Sequence, residues 1–191
     1  MEDIKNYAAV NEVPIIKDEG LKMLLEVVKE NNCRSILELG TAIGYSAINI
    51  AKISQDIKID TIEKKEELYI QAVNNVKSEK LENQINLYNT RIEEFDTDIK
   101  YDLIFVDAAK AQYYKYINKF YDNLIDGGII ICDNLEFHGL VNDPSLTKNR
   151  NTKMLVRKIG KFKEEIKNDL RFNNKYYPHI GDGILILKKE S

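Results

Sequence analysis

The chain has 191 residues, of which 43% are hydrophobic and 31% charged, with three prolines and a formal net charge of −3. That length suits one domain able to bury roughly 70% of the surface its unfolded chain exposes. No window approaches the roughly 18 uninterrupted apolar residues of a membrane span, and the mild acidity argues against a surface that coats nucleic acid everywhere, leaving room for a local basic patch.

The opening stretch "MEDIKNYAAV" is acidic and lacks an apolar core, so it does not read as a secretory signal. Leu21, Leu24, Leu25 and Val28 then share one face of a helix, with Asp18 placed to cap its start and Asn31-Asn32 to end it. "SILEL" (35–39) reads as a first strand and "YSAINIAKI" (45–53) as the helix behind it. "IKIDTIE" (57–63) is a second strand, followed by a helix over 65–79 that turns Leu68, Val73 and Val76 inward. "INLYN" (85–89), "YDLIFVD" (101–107) and "GGIIICD" (127–133) follow as strands three, four and five. The last two are almost continuous apolar runs, as central strands covered on both faces must be. A long helix fills much of 150–171, and "GILILKK" (183–189) closes the sheet. Alternating strands and helices of this kind build a Rossmann-like, mostly parallel, doubly wound α/β sheet with helices on both faces. No repeat or low-complexity linker divides the chain, so residues 1–191 read as one domain, with 1–32 capping a core over 33–191. Cys33 and Cys132 have no metal-ligand spacing, and in a chain that reads as cytoplasmic both are expected to be reduced and structural.

In such sheets ligands bind beyond the carboxyl ends of the strands. Strand one ends in "ELGTAIGYS", which has the form E-x-G-x-x-x-G, with Ala42 where a dinucleotide fingerprint has its second glycine. The pattern disfavours a nicotinamide oxidoreductase and suits an adenosine ligand without phosphates, such as S-adenosylmethionine. Glu63, at the end of strand two, is placed to accept from both ribose hydroxyls. Each feature alone reads equally well as a tight turn or a solvated acid; together, on adjacent strands, they favour a nucleoside site. Asp107, Asp133 and Asn134 end strands four and five. Either end alone reads more readily as a turn or a cap. Converging on adjacent strand ends, they offer three oxygen donors, a half-shell for a hard cation such as Mg²⁺. His138 and His179 are lone histidines for which surface or packing roles are expected. "QYYKY" (112–116) offers an aromatic wall, although tyrosines at this spacing more often pack on the sheet. From Lys148 to Lys163 seven basic residues occur without one acid. In a helix, Leu155, Ile159, Phe162 and Ile166 form its inward stripe, and Arg150, Lys153, Arg157 and Lys161 the opposite face. That face is either simply solvated or a phosphate-tracking surface.

With these residues in view, the chain resembles the cation-dependent O-methyltransferases of the catechol and caffeoyl-CoA type, and within them the bacterial tRNA 5-hydroxyuridine methyltransferases. The matching stretches are "VPII" (13–16), "ILELGTAIGYSAI" (36–48), "TIE" (61–63), "DLIFVDAAKAQY" (102–113), "GGIIICDN" (127–134), "HGLV" (138–141) and "GDGILI" (181–186). The resemblance implies an S-adenosylmethionine-dependent methyltransferase fold. Val13, Glu38, Gly40 and Ser46 would lie along the methionine side of the cofactor, and Glu63 would hold its ribose. Asp107, Asp133 and Asn134 correspond to the ligands for Mg²⁺ or a similar divalent cation, with Asp107 also near the cofactor, and Lys110 to the proposed general base. The implied acceptor is a tRNA wobble uridine, reached through the face bearing Arg150, Lys153, Arg157 and Lys161, with a catechol-like small molecule as the alternative. A homodimer is the family's habit. Three departures stand out: a short N-terminal segment, Ala111 in place of glycine, and "NTR" (Asn89, Thr90, Arg91) where the family has an acidic adenine contact. There the backbone or altered side chains, Thr90 and Arg91 among them, must meet the adenine.

Overall fold

A computed structural model describes residues 1–137, 139–141, 145 and 147–190. Helix α1 (Glu2–Val10) and helix α2 (Asp18–Glu30) precede strand β1 (Ser35–Leu39), α3 (Tyr45–Ala51), β2 (Lys58–Ile62), α4 (Glu66–Ser78), β3 (Ile85–Tyr88) and β4 (Tyr101–Val106). A 3-10 turn at Lys110–Gln112 runs into α5 (Tyr113–Lys119), followed by β5 (Leu124–Cys132), α6 (Arg150–Lys167), β6 (Phe172–Tyr177) and β7 (Ile184–Lys189). The strands form one seven-stranded sheet in the order β3-β2-β1-β4-β5-β7-β6. β1 to β5 are parallel; β7 runs antiparallel to both β5 and β6.

The two-residue period of each strand sorts its side chains between two cores. Leu103, Phe105, Ile129 and Ile131 join Ile4, Leu24, Val28 and Ile48 under α1 to α4. Their neighbours Ile104, Val106, Ile130 and Cys132 meet Tyr113, Ile117, Ile159 and Phe162 under α5 and α6. Central strands covered on both faces explain the unbroken apolar runs. Cys33 and Cys132 are free thiols buried in these two cores. Among the described residues no helix is long and apolar enough to cross a membrane.

The structure corrects several local readings. Asp18 is the first residue of α2 rather than its cap; Lys17 takes that place, and the Asp18 carboxylate accepts from Lys5 Nζ at 2.6 Å. α2 does stop where the asparagines begin, with Asn31 as its C-cap and Asn32 left-handed. In α4, Ala72, Asn75 and Val76 are buried, whereas Leu68 and Val73 are half-buried. In α6, Val156 rather than Leu155 completes the buried stripe with Ile159, Phe162 and Ile166, and the helix stops at Lys167. Asn149 caps its start, its side-chain oxygen accepting from the amides of Asn151 and Thr152. Strand β5 begins at Leu124, three residues earlier than its glycines indicate, and its register against β4 shifts between Tyr101 and Leu103. Strand β6 and helix α1 had no reading at all in the sequence. "FNNKYY" is a polar edge strand with a weak alternation, and α1 buries only Ile4 and Ala8.

Candidate active site

The first part of the site is the turn between β1 and α3. Gly40 takes φ +107°, and a Cβ there would stand 2.2 Å from the Asp107 carbonyl oxygen, so the close approach of this loop to β4 admits glycine alone. The Gly40 and Thr41 amides each donate to the Ile62 carbonyl at 3.1 Å, and Asp107 N–H donates to the Leu39 carbonyl at 3.0 Å. The glycine loop is thus pinned to the ends of β2 and β4 together.

Glu63 leaves β2 beside this loop. Its carboxylate accepts from the Ala42 amide at 2.9 Å and the Lys65 amide at 2.8 Å, so two backbone donors fix its direction at the cavity wall. Behind the loop lies Glu38, fully buried. One carboxylate oxygen accepts from Ser46 Oγ and the other from Thr61 Oγ1, whose hydroxyl also bonds Thr41 at 2.6 Å. Burial pushes the Glu38 carboxyl up to about 7, against the lowering effect of the Ser46 and Thr61 hydroxyls. Glu38 and Ser46 therefore support the loop from within rather than line the cavity. Val13 likewise packs against the first core, while its neighbours Pro14 and Ile15 line the wall.

The second part follows from strand register. Val106 pairs with Cys132, so Asp107 and Asp133 emerge side by side, and the Asp133 amide donates to the Val106 carbonyl at 3.2 Å. Asn134 is left-handed, φ 65°, a conformation asparagine tolerates. Its amide nitrogen stands 3.2 Å from Asp107 Oδ1 and 3.4 Å from Asp133 Oδ2, and its backbone N–H donates to Asp133 Oδ1 at 2.7 Å. The Tyr113 hydroxyl holds the Asp133 carbonyl from below at 3.0 Å. Burial and then the Asp107 charge push the Asp133 carboxyl up to about 7; burial also raises Asp107, opposed by the Lys110 charge and the Asn134 amide. Two carboxylates that disfavour being charged together are what a divalent cation relieves. Turning the Asn134 amide about its last bond presents its oxygen beside theirs, so the donor set fits a hard cation. Among the described residues no group of three His, Cys, Asp or Glu gathers in this way, because the third donor here is an amide.

Both parts open on one cavity of about 710 Å³. Gly40, Glu63, Asp107 and Asn134 line it, as do Arg91 and Lys110; Asp133 sits just behind, 2% exposed. The wall runs through Arg91, Ile92 and Glu93 rather than Thr90. Asn89 lies exposed beside it, its side chain donating to the Glu63 carbonyl at 2.8 Å. Lys110 Nζ lies 6.0 Å from the Phe137 ring centroid, and its positive charge separately opposes the rise of the Asp107 carboxyl. Sequence reasoning passed over Lys17, Lys64, Lys65 and Phe137, all on the wall. Position alone could have found the first three, since they adjoin the matched "VPII" and "TIE" stretches. Of the tyrosines, Tyr116 reaches the wall while Tyr113 is buried beneath Asp133. His179 is exposed, and His138 lies outside the described residues. On α6, Arg150, Lys153, Arg157 and Lys161 are all exposed, with Lys161 3.3 Å from Glu165.

A family model described as O-methyltransferase matches residues 2–190. A caffeoyl-CoA O-methyltransferase of Populus kitakamiensis is 27% identical, over 97% of this chain and 82% of that protein. A flavonoid 3',5'-methyltransferase of Vitis vinifera is 28% identical, over 96% and 80%. Among solved structures, a Staphylococcus aureus protein provisionally assigned as a caffeoyl-CoA O-methyltransferase superposes with a TM-score of 0.94 at 35% identity, covering 98% of this chain and 91% of its own. An O-methyltransferase of Bacillus cereus in complex with S-adenosylhomocysteine (SAH) gives 0.84 at 23%, covering 99% and 90%, a likeness of fold. The sheet order is that of the Rossmann-like methyltransferases, and the chain belongs to the O-methyltransferase family that includes the caffeoyl-CoA enzymes.

Proposed function

We propose that this chain transfers the methyl group of S-adenosylmethionine to a hydroxyl oxygen that has a second oxygen beside it, and that the acceptor is 5-hydroxyuridine in a tRNA anticodon, yielding 5-methoxyuridine. The observation that carries the reaction class is the convergence of Asp107, Asp133 and Asn134 next to the wall that also holds Gly40 and Glu63. The sulfonium cofactor brings an electrophilic methyl group. Glu63, already oriented by two amides, holds the ribose, and the glycine loop lets the cofactor approach the backbone. Asp107, Asp133 and Asn134 would hold Mg²⁺ or a similar cation, which when bound would supply positive charge favouring the deprotonated acceptor oxygen. Lys110 takes up the hydroxyl proton or, as an ammonium, stabilises the oxyanion as it forms. Alignment of acceptor and donor within the cavity removes several kcal/mol of the barrier, roughly what proximity contributes in oriented reactions.

For the acceptor, the support is charge. Lys17, Lys64, Lys65, Arg91 and Lys110 surround the cavity, and α6 presents Arg150, Lys153 and Arg157 to solvent. Phosphates of a nucleic acid meet such surfaces well. A second reading, a small catechol-like acceptor, is favoured by the names of the plant relatives and uses the same donors. Transfer of labelled methyl to tRNA bearing 5-hydroxyuridine, beside a simple catechol, each with and without EDTA, separates them. EDTA-sensitive labelling of tRNA alone supports the first reading. Labelling of catechol alone keeps the chemistry and discards the tRNA, and labelling that survives EDTA removes the cation.

A further inference from the structure

We infer that Glu136, Lys163 and Tyr176 form a clamp that positions the acceptor wall of the cavity, and that Lys163 serves as a positioning residue rather than as part of the basic surface of α6. The inference rests on the methyl-transfer reading of the cavity.

The chain leaves β5 and becomes left-handed twice within four residues, at Asn134 (φ 65°) and at Phe137 (φ 46°). For an aromatic residue that conformation is an outlier, one that persists only where the surroundings enforce it. Both residues belong to the site: Asn134 is a candidate cation ligand, and Phe137 lines the cavity opposite Lys110. Between them the backbone is tied to the β6–β7 turn, Leu135 N–H donating to the Gly183 carbonyl at 3.0 Å and Glu136 N–H to the Asp182 carbonyl at 2.7 Å.

The Glu136 side chain turns toward α6 and β6. There its carboxylate, in a residue only 5% exposed, accepts from Lys163 Nζ at 2.9 Å and from the Tyr176 hydroxyl. Lys163 also donates to the Tyr176 oxygen at 3.1 Å, and its ammonium stands 4.2 Å from the centre of that ring. Three side chains from a loop, a helix and an edge strand so close a triangle. Gly183 makes room for it: a Cβ there would lie 2.8 Å from Glu136 Cγ and 2.9 Å from the Tyr176 oxygen. An apolar residue at position 136 would fill the same space without desolvating a charge. What the charged triangle adds is direction, because charge-assisted hydrogen bonds fix an angle that apolar packing leaves loose. The segment whose angles are so fixed is the one carrying Asn134 and Phe137.

Lys163→Met is the decisive variant, with Lys163→Arg as its conservative partner. Hydrogen–deuterium exchange of Asn134 to Phe137 in Lys163→Met is expected to rise about tenfold, the scale of one lost charge-assisted hydrogen bond. Exchange in β1 and β4 and the affinity for SAH stay as in the parent protein. The KM for the methyl acceptor rises by about the same factor with kcat changed less, and Lys163→Arg restores both exchange and KM. Unchanged exchange at 134–137 overturns the clamp. So does a parallel loss of SAH affinity, thermal stability and acceptor KM without rescue by arginine, since that is a general structural role. If the parent protein methylates neither acceptor, the proposed function fails on its own account, and the exchange comparison alone decides the clamp.

Discussion

The two halves of the cavity are built on opposite electrostatic plans. Around the glycine loop both carboxylates have partners in place: Glu63 accepts from two backbone amides and Glu38 from two hydroxyls. At the ends of β4 and β5, two carboxylates share one amide, with Lys110 the positive charge felt by both. One half is preorganised to receive a ligand through hydrogen bonds that cost no rearrangement. The other holds an excess of negative charge that only a cation or protons relieve. A ligand of the first half should therefore bind whether or not the second is intact, whereas turnover needs both.

The sharpest way to break this comparison is Asp133→Ala. Turnover should fall by two to three orders of magnitude or more, roughly the scale seen when one electrostatic stabiliser is removed from a reacting centre. SAH affinity, measured by calorimetry, should stay within about twofold, because no Asp133 atom lines the cavity wall. A matching loss of SAH binding would mean that the halves are not separable.

Gly40→Ala tests the joint between them. The added Cβ meets the Asp107 carbonyl at 2.2 Å from a backbone with φ +107°, so loop and strand must move apart. A loss of about 3 kcal/mol of stability follows from that combination of backbone strain and overlap. Unlike Asp133→Ala, this variant should lose SAH affinity as well as turnover. A thermal melt together with SAH calorimetry reads both; retention of either would show that the loop is free to shift. Lys110→Met acts within the acid half alone. It should lower kcat about 100-fold, the range of general acid–base contributions, and leave SAH affinity unchanged. Equal losses in both quantities would make Lys110 a structural residue.

Much of this division was legible in the sequence, because each half begins where an apolar strand stops. "SILEL" ends before a glycine, and "YDLIFVD" and "GGIIICD" end in acids, so period and composition located both halves on the rim. What could not be read was depth. Glu38, Gly40 and Ser46 all fall in one motif, yet only Gly40 reaches the wall, because the strand's two-residue alternation and the helix behind it send Glu38 and Ser46 inward. Nor could sequence spacing show that Glu136 and Lys163, 27 positions apart, would meet at 2.9 Å, or that Tyr176 on an unrecognised edge strand would close the triangle. Those contacts depend on how α6 and β6 return to the sheet, which no local pattern encodes. Asp18 shows a smaller failure of the same kind. Its composition signals a cap, but the carboxylate was taken by Lys5 of a helix that the sequence did not announce.

Glu38 supplies the subtlest probe of the preorganised half. Its carboxyl is raised to about 7 by burial in spite of two hydroxyl donors. In the unfolded chain the same group titrates near 4.3, so between about pH 4.3 and 7 the folded protein holds the extra proton. The sign follows directly: this contribution to stability is full below the unfolded value and is lost as pH rises toward the folded one. Asp133, raised in the same direction, adds a parallel slope, so the test must be a difference between variants. Glu38→Gln keeps the shape and an acceptor for Ser46 but has no proton to lose. Relative to the parent, its melting temperature should gain on going from about pH 5 to about pH 7. Parallel curves would mean that the Ser46 and Thr61 hydroxyls outweigh burial and that Glu38 is already ionised throughout. The loop would then rest on a buried anion, and Glu38→Gln would instead weaken it equally at every pH in that window.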